Sequence, residues 1–207
     1  MLYHNLPVLV KRRIGISGRY VMSQKLSEMS LEELWRLFPV FLTEHRDCWR
    51  DWYAEEAFLL KPLLPQTVKI HHVGSTAVKA IRAKPIVDIL AEVSEEYDLY
   101  DIKAVLVSSG YICMAQSAER LSFNKGYTEN GFAERVFHLH LRYDGDNDEL
   151  YFRDYLNEFP DAAYRYETLK MKLWKRFEND RDGYTGAKTD FVKRYTREAK
   201  ARYGNKY

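Results

Sequence analysis

The chain has 207 residues, of which 46% are hydrophobic and 14% aromatic, enough to bury a full core within one domain. Lys and Arg total 32 against 30 for Asp and Glu, so the net charge of +2 creates no overall field that would attract nucleic acid or an anionic membrane. No apolar run reaches the roughly 18 residues that a membrane-spanning helix needs.

The cysteines and the N-terminal segment set the expected compartment and boundaries. Cys48 and Cys113 have no CxxC or Cys-His spacing, which is typical of reduced thiols in a cytoplasmic protein. In residues 1–24 the apolar LPVLV precedes the basic KRR, the reverse of the order in a secretory signal. We predict one domain over 25–207, with residues 1–24 outside its core and Met22 as an alternative start of translation.

Periodicity and turn residues predict the elements. Ser30 and Glu33 form a capping-box pattern, so a helix is expected to begin there and to end before Pro39. In chain order there follow a helix over 46–60, strands over 67–73 and 85–93, a helix over 98–109, strands over 111–116 and 119–124, a loop over 125–131, a strand over 135–143, and helices up to about residue 200. This order predicts an α+β fold, a small mixed sheet flanked by N-terminal and C-terminal helices.

Asp88 lies in the apolar run Val87–Ile89, where an ionised carboxylate is costly unless it is paired, hydrogen-bonded or metal-bound. A purely structural role, capping a turn or pairing with Lys84 or Arg82, is one interpretation, and metal binding is the other. Glu92 is a weak second acid, because two α-carbons four residues apart on a strand are about 13 Å apart.

His138 and His140 alternate with Phe137, Leu139 and Leu141, so both histidines are predicted to share the polar face of one strand. Their α-carbons would be about 7 Å apart, which allows joint metal coordination or contact with a phosphate. Two half-buried histidines hydrogen-bonded to neighbours are the alternative.

The turn Gly74-Ser75-Thr76 follows a strand and precedes a brief helix, an arrangement whose backbone amides can hold a phosphate. The cations that could also contact a phosphate are Lys84, Lys125, Arg153 and Lys188. The motifs GxxxxGK[ST], GxGxxG, HExxH and GxSxG are absent from the sequence, which removes the common NTPase, Rossmann and hydrolase interpretations.

Five motifs carry a family resemblance: HHVGSTAVKAIRAKPIVDIL, FNKG, VFHLHL, ELYFRDYLNEFPDAA and YTGAKTDFV. In this order and spacing, over about residues 28–200, the chain resembles the GrpB family. The resemblance implies a nucleotidyltransferase-like fold, in which Gly74 and Ser75 hold nucleotide phosphates and Asp88 is the first metal-binding acid. Leu90 stands where the second acid is expected, so this chain departs from the two-metal pattern.

Three functions follow as hypotheses. The first is a metal-dependent nucleotidyltransferase-like enzyme with Asp88 as the catalytic acid, Mg²⁺ or Mn²⁺ as cofactor, and a nucleotide or other phosphorylated small molecule as ligand. The second is a nucleotide-binding or fold-assisting module without chemistry, favoured by Leu90. The third is a transition-metal hydrolase using Asp88, His138 and His140, with zinc as a candidate metal. Neither a membrane nor a nucleic acid is an expected partner.

Overall fold

The computed structural model describes residues 25–207, so the predictions for residues 1–24 and Met22 lie outside it. A five-stranded sheet has the order β1-β2-β5-β4-β3. Its strands are Lys69–Val73 (β1), Val87–Val93 (β2), Ile112–Gln116 (β3), Arg120–Thr128 (β4) and Gly131–Tyr143 (β5). β2 and β5 pair in parallel, and the other neighbours are antiparallel. The mixed sheet with helices before and after it confirms the α+β prediction.

The helices fall into two groups along the chain. They are Leu31–Leu37 (α1), Cys48–Leu60 (α2), Leu99–Ser108 (α3), Asp148–Glu158 (α4), Pro160–Arg176 (α5), Arg181–Gly186 (α6) and Thr189–Tyr203 (α7), with short 3-10 turns at Leu26–Glu28, Lys61–Leu63 and Ser75–Ala77. The predicted capping box is present at α1, where the Ser30 hydroxyl accepts from the Glu33 amide and the Glu33 carboxylate accepts from the Ser30 amide. Within residues 25–207, every helix is too short or too polar to cross a bilayer.

The two faces of the sheet have different environments, because successive strand residues point to opposite sides. On one face, alternate residues of β2 and β5 such as Ile89 and Leu139 pack with α2 and α3 in the largest buried apolar cluster. On the other face, Leu90 packs against Val73 and against Leu150 of α4. Asp88, His138 and His140 lie on the same face as Leu90 and therefore face the C-terminal helices.

The loop predicted over 125–131 is wrong. β4 continues to Thr128 and β5 begins at Gly131, so only two residues form the turn of a hairpin. Gly126, with φ 88°, marks a bulge at which the pairing register shifts. A Cβ there would lie 2.3 Å from the carbonyl oxygen of Arg135. The glycine that suggested a loop instead permits a close approach of two strands.

Candidate functional site

Asp88 and the two histidines meet on the face that the C-terminal helices cover. Asp88 and His138 are paired residues of β2 and β5. The Asp88 Oδ1 atom lies 3.1 Å from His138 Nδ1 and 3.7 Å from His140 Nε2. Burial raises the pKa of Asp88, but the hydrogen bond with His138 and the nearby imidazole of His140 outweigh burial and hold this pKa well below its usual range. The carboxylate is therefore ionised at neutral pH.

His138 is fixed through both of its ring nitrogens. Its Nδ1 contacts Asp88, and its Nε2 lies 2.9 Å from the Tyr127 hydroxyl. Because Arg181 donates to the Tyr127 oxygen at 2.8 Å, the Tyr127 proton is free to be donated to His138 Nε2. This arrangement assigns the Nδ1–H tautomer to His138, and burial lowers its pKa.

Gly74 allows the turn to lie against Asp88. It has φ 70°, and a Cβ at this position would be 2.2 Å from Asp88 Oδ2. Only glycine combines this backbone conformation with such a close approach at little cost. The Gly74-Ser75 turn and the carboxylate therefore form one unit.

Three lysines line a cavity together with Asp88, and we call Lys84, Lys170 and Lys188 the lysine cluster. Burial lowers the pKa of Lys84 to about 7 and that of Lys170 to about 7, and neighbouring positive charges add to both effects. Burial lowers the pKa of Lys188 to about 8. Asp88 acts on Lys84 and Lys188 in the opposite direction. The site therefore gathers three amino groups away from water, each of which loses its proton more easily than an exposed lysine does.

Two tyrosines support the lysine cluster. The Tyr184 ring centre is 5.5 Å from Lys84 Nζ and 4.3 Å from Lys188 Nζ, within the range of cation–π contacts. Lys170 Nζ lies 4.8 Å from the Tyr166 ring centre. Burial raises the pKa of Tyr166 to about 12, against a hydrogen bond with the Ser75 side chain. Both phenols therefore remain protonated at neutral pH.

These groups line one cavity of about 460 Å³, a volume within the range of small-molecule sites. The residues around it come from the end of β1, the Gly74-Ser75 turn, the segment that leads into β2, β2 and β5 themselves, and the C-terminal helices. The charged lining comprises Lys84, Asp88, His138, His140, Asp148, Glu149, Lys170, Arg181, Lys188 and Lys193. Phe152, Leu156 and Val192 provide an apolar wall.

The cavity contains seven of the residues predicted from sequence: Gly74, Ser75, Lys84, Asp88, His138, His140 and Lys188. Three others lie elsewhere. The Thr76 hydroxyl is buried and lies 3.0 Å from His72 Nε2. Lys125 pairs with the buried Glu56 at 2.6 Å, and Arg153 donates to the His72 carbonyl at 2.9 Å.

Sequence reasoning missed Lys170 and Arg181. Lys170 is 2% exposed and lies on the buried stripe of α5 with Tyr166 and Leu173. A lysine at an apolar position of an amphipathic helix was the available signal. Arg181 begins a short helix without a hydrophobic pattern, so no comparable signal marked it.

The predicted metal ligands are together, but their donor atoms do not fit a resident metal centre. Both nitrogens of His138 are hydrogen-bonded, and Asp88 Oδ1 lies between the two imidazoles. Leu90 adds no oxygen, and Glu92 instead accepts from the Gly145 amide and the Asn147 side chain. Among the described residues, no three His, Cys, Asp or Glu side chains are arranged to hold a metal ion.

Fold and site thus define an α+β protein with a cavity rich in basic side chains between its sheet and its C-terminal helices. The sequence pattern described as GrpB protein matches residues 39–198, and the chain belongs to the GrpB family. It is 36% identical over 161 residues to the glutamate-rich protein GrpB of Alkalihalophilus pseudofirmus, covering 74% of this chain and 91% of that one.

A solved structure of the same family supports the fold. The crystal structure of conserved protein GrpB from Enterococcus faecalis has 31% sequence identity and a TM-score of 0.68, covering 79% of this chain and 99% of that one. The structure of Cid1 in complex with its short product ApU covers 71% of this chain and 45% of its own, with 13% identity and a TM-score of 0.46. No residue role is taken from so distant a structure.

Proposed function

We propose that this protein binds a nucleotide or another phosphorylated small molecule in the cavity, with the phosphates against the lysine cluster. The observation that carries the proposal is the charge imbalance there. The negative charge of Asp88 acts on both Lys84 and Lys188. The same carboxylate, however, already interacts with two imidazoles. A phosphate would supply the missing negative charge through charge-assisted hydrogen bonds.

The other walls suit the rest of such a ligand. The Gly74-Ser75 turn borders the same space, where a backbone amide and a hydroxyl can donate to phosphate oxygens. Phe152, Leu156 and Val192 give the same cavity an apolar lining. This surface can contact the organic part of the ligand, so free phosphate alone would bind more weakly than a phosphorylated organic molecule.

Two-metal nucleotidyl transfer is not part of the proposal. That chemistry needs carboxylates that hold two cations about 3.5 to 4 Å apart. The Leu90 side chain is instead fully buried against Val73 and Leu150. Ligand binding through lysines and backbone requires no bound metal, so the expected affinity does not depend on a divalent ion.

A binding panel tests the proposal. Purified protein is titrated calorimetrically with ATP, GTP, CTP, UTP, tripolyphosphate and phosphate, each with EDTA or with Mg²⁺, Mn²⁺ or Zn²⁺. We expect at least one nucleotide to bind, with an affinity retained in EDTA. Lys170→Met should weaken binding at least tenfold, or about 1.4 kcal/mol, because it removes a buried cation.

Lys175→Met is the matched control, since Lys175 is exposed on the same helix and does not line the cavity. It should leave the affinity within about twofold. The proposal is contradicted if Lys170→Met leaves binding unchanged, or if no compound in the panel binds. Binding that disappears in EDTA would instead favour a metal site at Asp88.

A further inference from the structure

We infer that His140 is a covalent acceptor, whose Nδ1 atom takes a phosphorus-centred group from a phosphoanhydride bound in the cavity. The inference rests on the proposed function and adds chemistry to it. His140 lies on the cavity wall with 26% of its side chain exposed. It is therefore placed to touch a ligand directly.

The two histidines differ in which ring nitrogens are available. His138 has Asp88 on Nδ1 and Tyr127 on Nε2, so neither lone pair is free. His140 has only its Nε2 near the carboxylate, at 3.7 Å. In the part of the chain that the structure describes, the Nδ1 atom of His140 has no hydrogen-bond partner. It is also absent from the set of buried atoms without a partner, so this nitrogen is not buried. A nucleophilic lone pair is therefore available on His140 alone of this pair.

Asp88 would act as a positioning residue for His140. A carboxylate beside Nε2 favours the tautomer with the proton on that atom, which leaves the Nδ1 lone pair for attack. The 3.7 Å separation is long for a hydrogen bond, and such contacts commonly shorten when a ligand closes the site. The Nδ1 atom of His138 lies 3.1 Å from the same oxygen, Asp88 Oδ1.

The covalent step balances without a redox partner. The Nδ1 lone pair forms an N–P bond while a P–O bond of the anhydride breaks, and its electron pair leaves with the departing phosphate oxygen. The imidazole keeps its Nε2 proton, and Asp88 neutralises the resulting positive ring. Protonated Lys170 and Lys188, which line the same cavity, can stabilise the charge on the leaving group. Water or an acceptor alcohol can then release the group from nitrogen.

The test is covalent labelling of the full chain. Protein is incubated with Mg²⁺ and each of ATP, GTP, CTP and UTP, radiolabelled at either the α or the γ phosphate. The reaction is stopped in alkaline detergent, because N–P bonds survive alkali and break in acid. We expect acid-labile label that mass spectrometry maps to His140. The position of the label, α or γ, tells whether a nucleotidyl or a phosphoryl group is transferred.

Two variants separate chemistry from binding. His140→Gln should abolish labelling, and Asp88→Asn should reduce it at least about tenfold, while both keep measurable nucleotide binding. His45→Gln, at a histidine outside the cavity lining, should label as wild type does. A nucleotide that binds by calorimetry but leaves no label on His140 overturns the inference and leaves the proposed function standing. Failure of every nucleotide to bind removes both.

Discussion

At the scale of single residues, Gly74 is where the site depends most on the lack of a side chain. A Cβ there would lie 2.2 Å from Asp88 Oδ2 and 2.9 Å from Asp88 Cβ, so Gly74→Ala must displace a carboxylate held by two histidines. We expect the free energy of unfolding to fall by about 1 to 3 kcal/mol in urea denaturation.

Two comparisons isolate the steric part of this loss. Gly110 has φ 90° and open space where its Cβ would be, so Gly110→Ala reports the backbone strain alone, about 1 kcal/mol. In the double variant Gly74→Ala/Asp88→Ala the 2.2 Å contact with Oδ2 is removed and only the 2.9 Å contact with the Cβ remains, so the loss beyond that of Asp88→Ala should be smaller than the loss caused by Gly74→Ala alone. If the loss of stability in the double variant equals the sum of the losses in Gly74→Ala and Asp88→Ala, the clash is contradicted.

Lys188 is expected to favour binding at the expense of stability. Its ammonium is held near Tyr184 and other cations, and burial disfavours its charged form. Lys188→Met removes that charge and keeps the chain length, so the Tm of the ligand-free protein should rise by about 2 °C or more. The affinity for the ligand should fall at least tenfold. Lys175→Met should change neither, and a lowered Tm for Lys188→Met would contradict the account.

The sequence could predict site residues wherever strand periodicity set their direction. Alternation with Phe137 and Leu139 placed His138 and His140 on one face, and the structure brings both to Asp88. The position of Arg181 depends on how α6 packs against β4, which is a tertiary contact without a local pattern. Long-range packing of this kind is what the sequence leaves undetermined.

At the scale of elements, α2 and β4 are joined by an ion pair beneath the sheet. Glu56 is 5% exposed, accepts from Lys125 at 2.6 Å and is hydrogen-bonded to the Tyr111 hydroxyl. Glu56→Ala leaves a half-buried ammonium without its partner, so we expect a loss of about 3 to 5 kcal/mol in urea denaturation. The double variant Glu56→Leu/Lys125→Met should recover most of the lost stability. A loss as large as that of Glu56→Ala would contradict a paired role for Glu56 and Lys125.

The ion pair with Glu56 holds the Lys125 side chain outside the cavity lining. Lys125→Met should leave the Kd for the best-binding nucleotide within about twofold of wild type when measured well below the Tm. The sequence offered Lys125 as one of several cations that could contact a phosphate. Its neighbours in space, Glu56 and Tyr111, are 69 and 14 positions away and could not be inferred from local pattern.

The elements themselves were largely predictable because capping, alternation and glycines are local signals. The capping box of α1 and the alternation of β5 agree with the structure. The loop over 125–131 failed because Gly126 suits a loop and a bulge equally well. Only the pairing of β4 with β5 decides between a loop and a bulge.

At the scale of the whole molecule, ligand binding should be coupled to protonation. Lys84, Lys170 and Lys188 have pKa values of about 7, 7 and 8, below the unfolded value. The unfolded state therefore binds more protons between about pH 7 and 10, and these lysines make the ligand-free protein more stable as pH rises through that window. Burial favours the neutral form of these lysines, whereas a bound anion favours their protonated, charged form.

Binding should consequently take up protons at pH 8, where ATP is already fully ionised. Calorimetry in buffers of different ionisation enthalpy should show an uptake of about one proton or more per ATP. The net uptake should be smaller at pH 6, where the lysines are already protonated and ATP itself still carries part of a proton that it can lose on binding, and Lys188→Met should reduce the uptake at pH 8. Proton release at pH 8, or an uptake that is the same at pH 6 and pH 8, would contradict a role for the lysine cluster.

The most direct test of the central claim is a crystal structure of the protein with the nucleotide that binds best in the titration panel. The account predicts phosphate oxygens within hydrogen-bond distance of Lys170 and Lys188, bordered by Gly74 and Ser75, with the organic part near Phe152. A nucleotide found outside this cavity, or one whose phosphates point away from the lysine cluster, would contradict it.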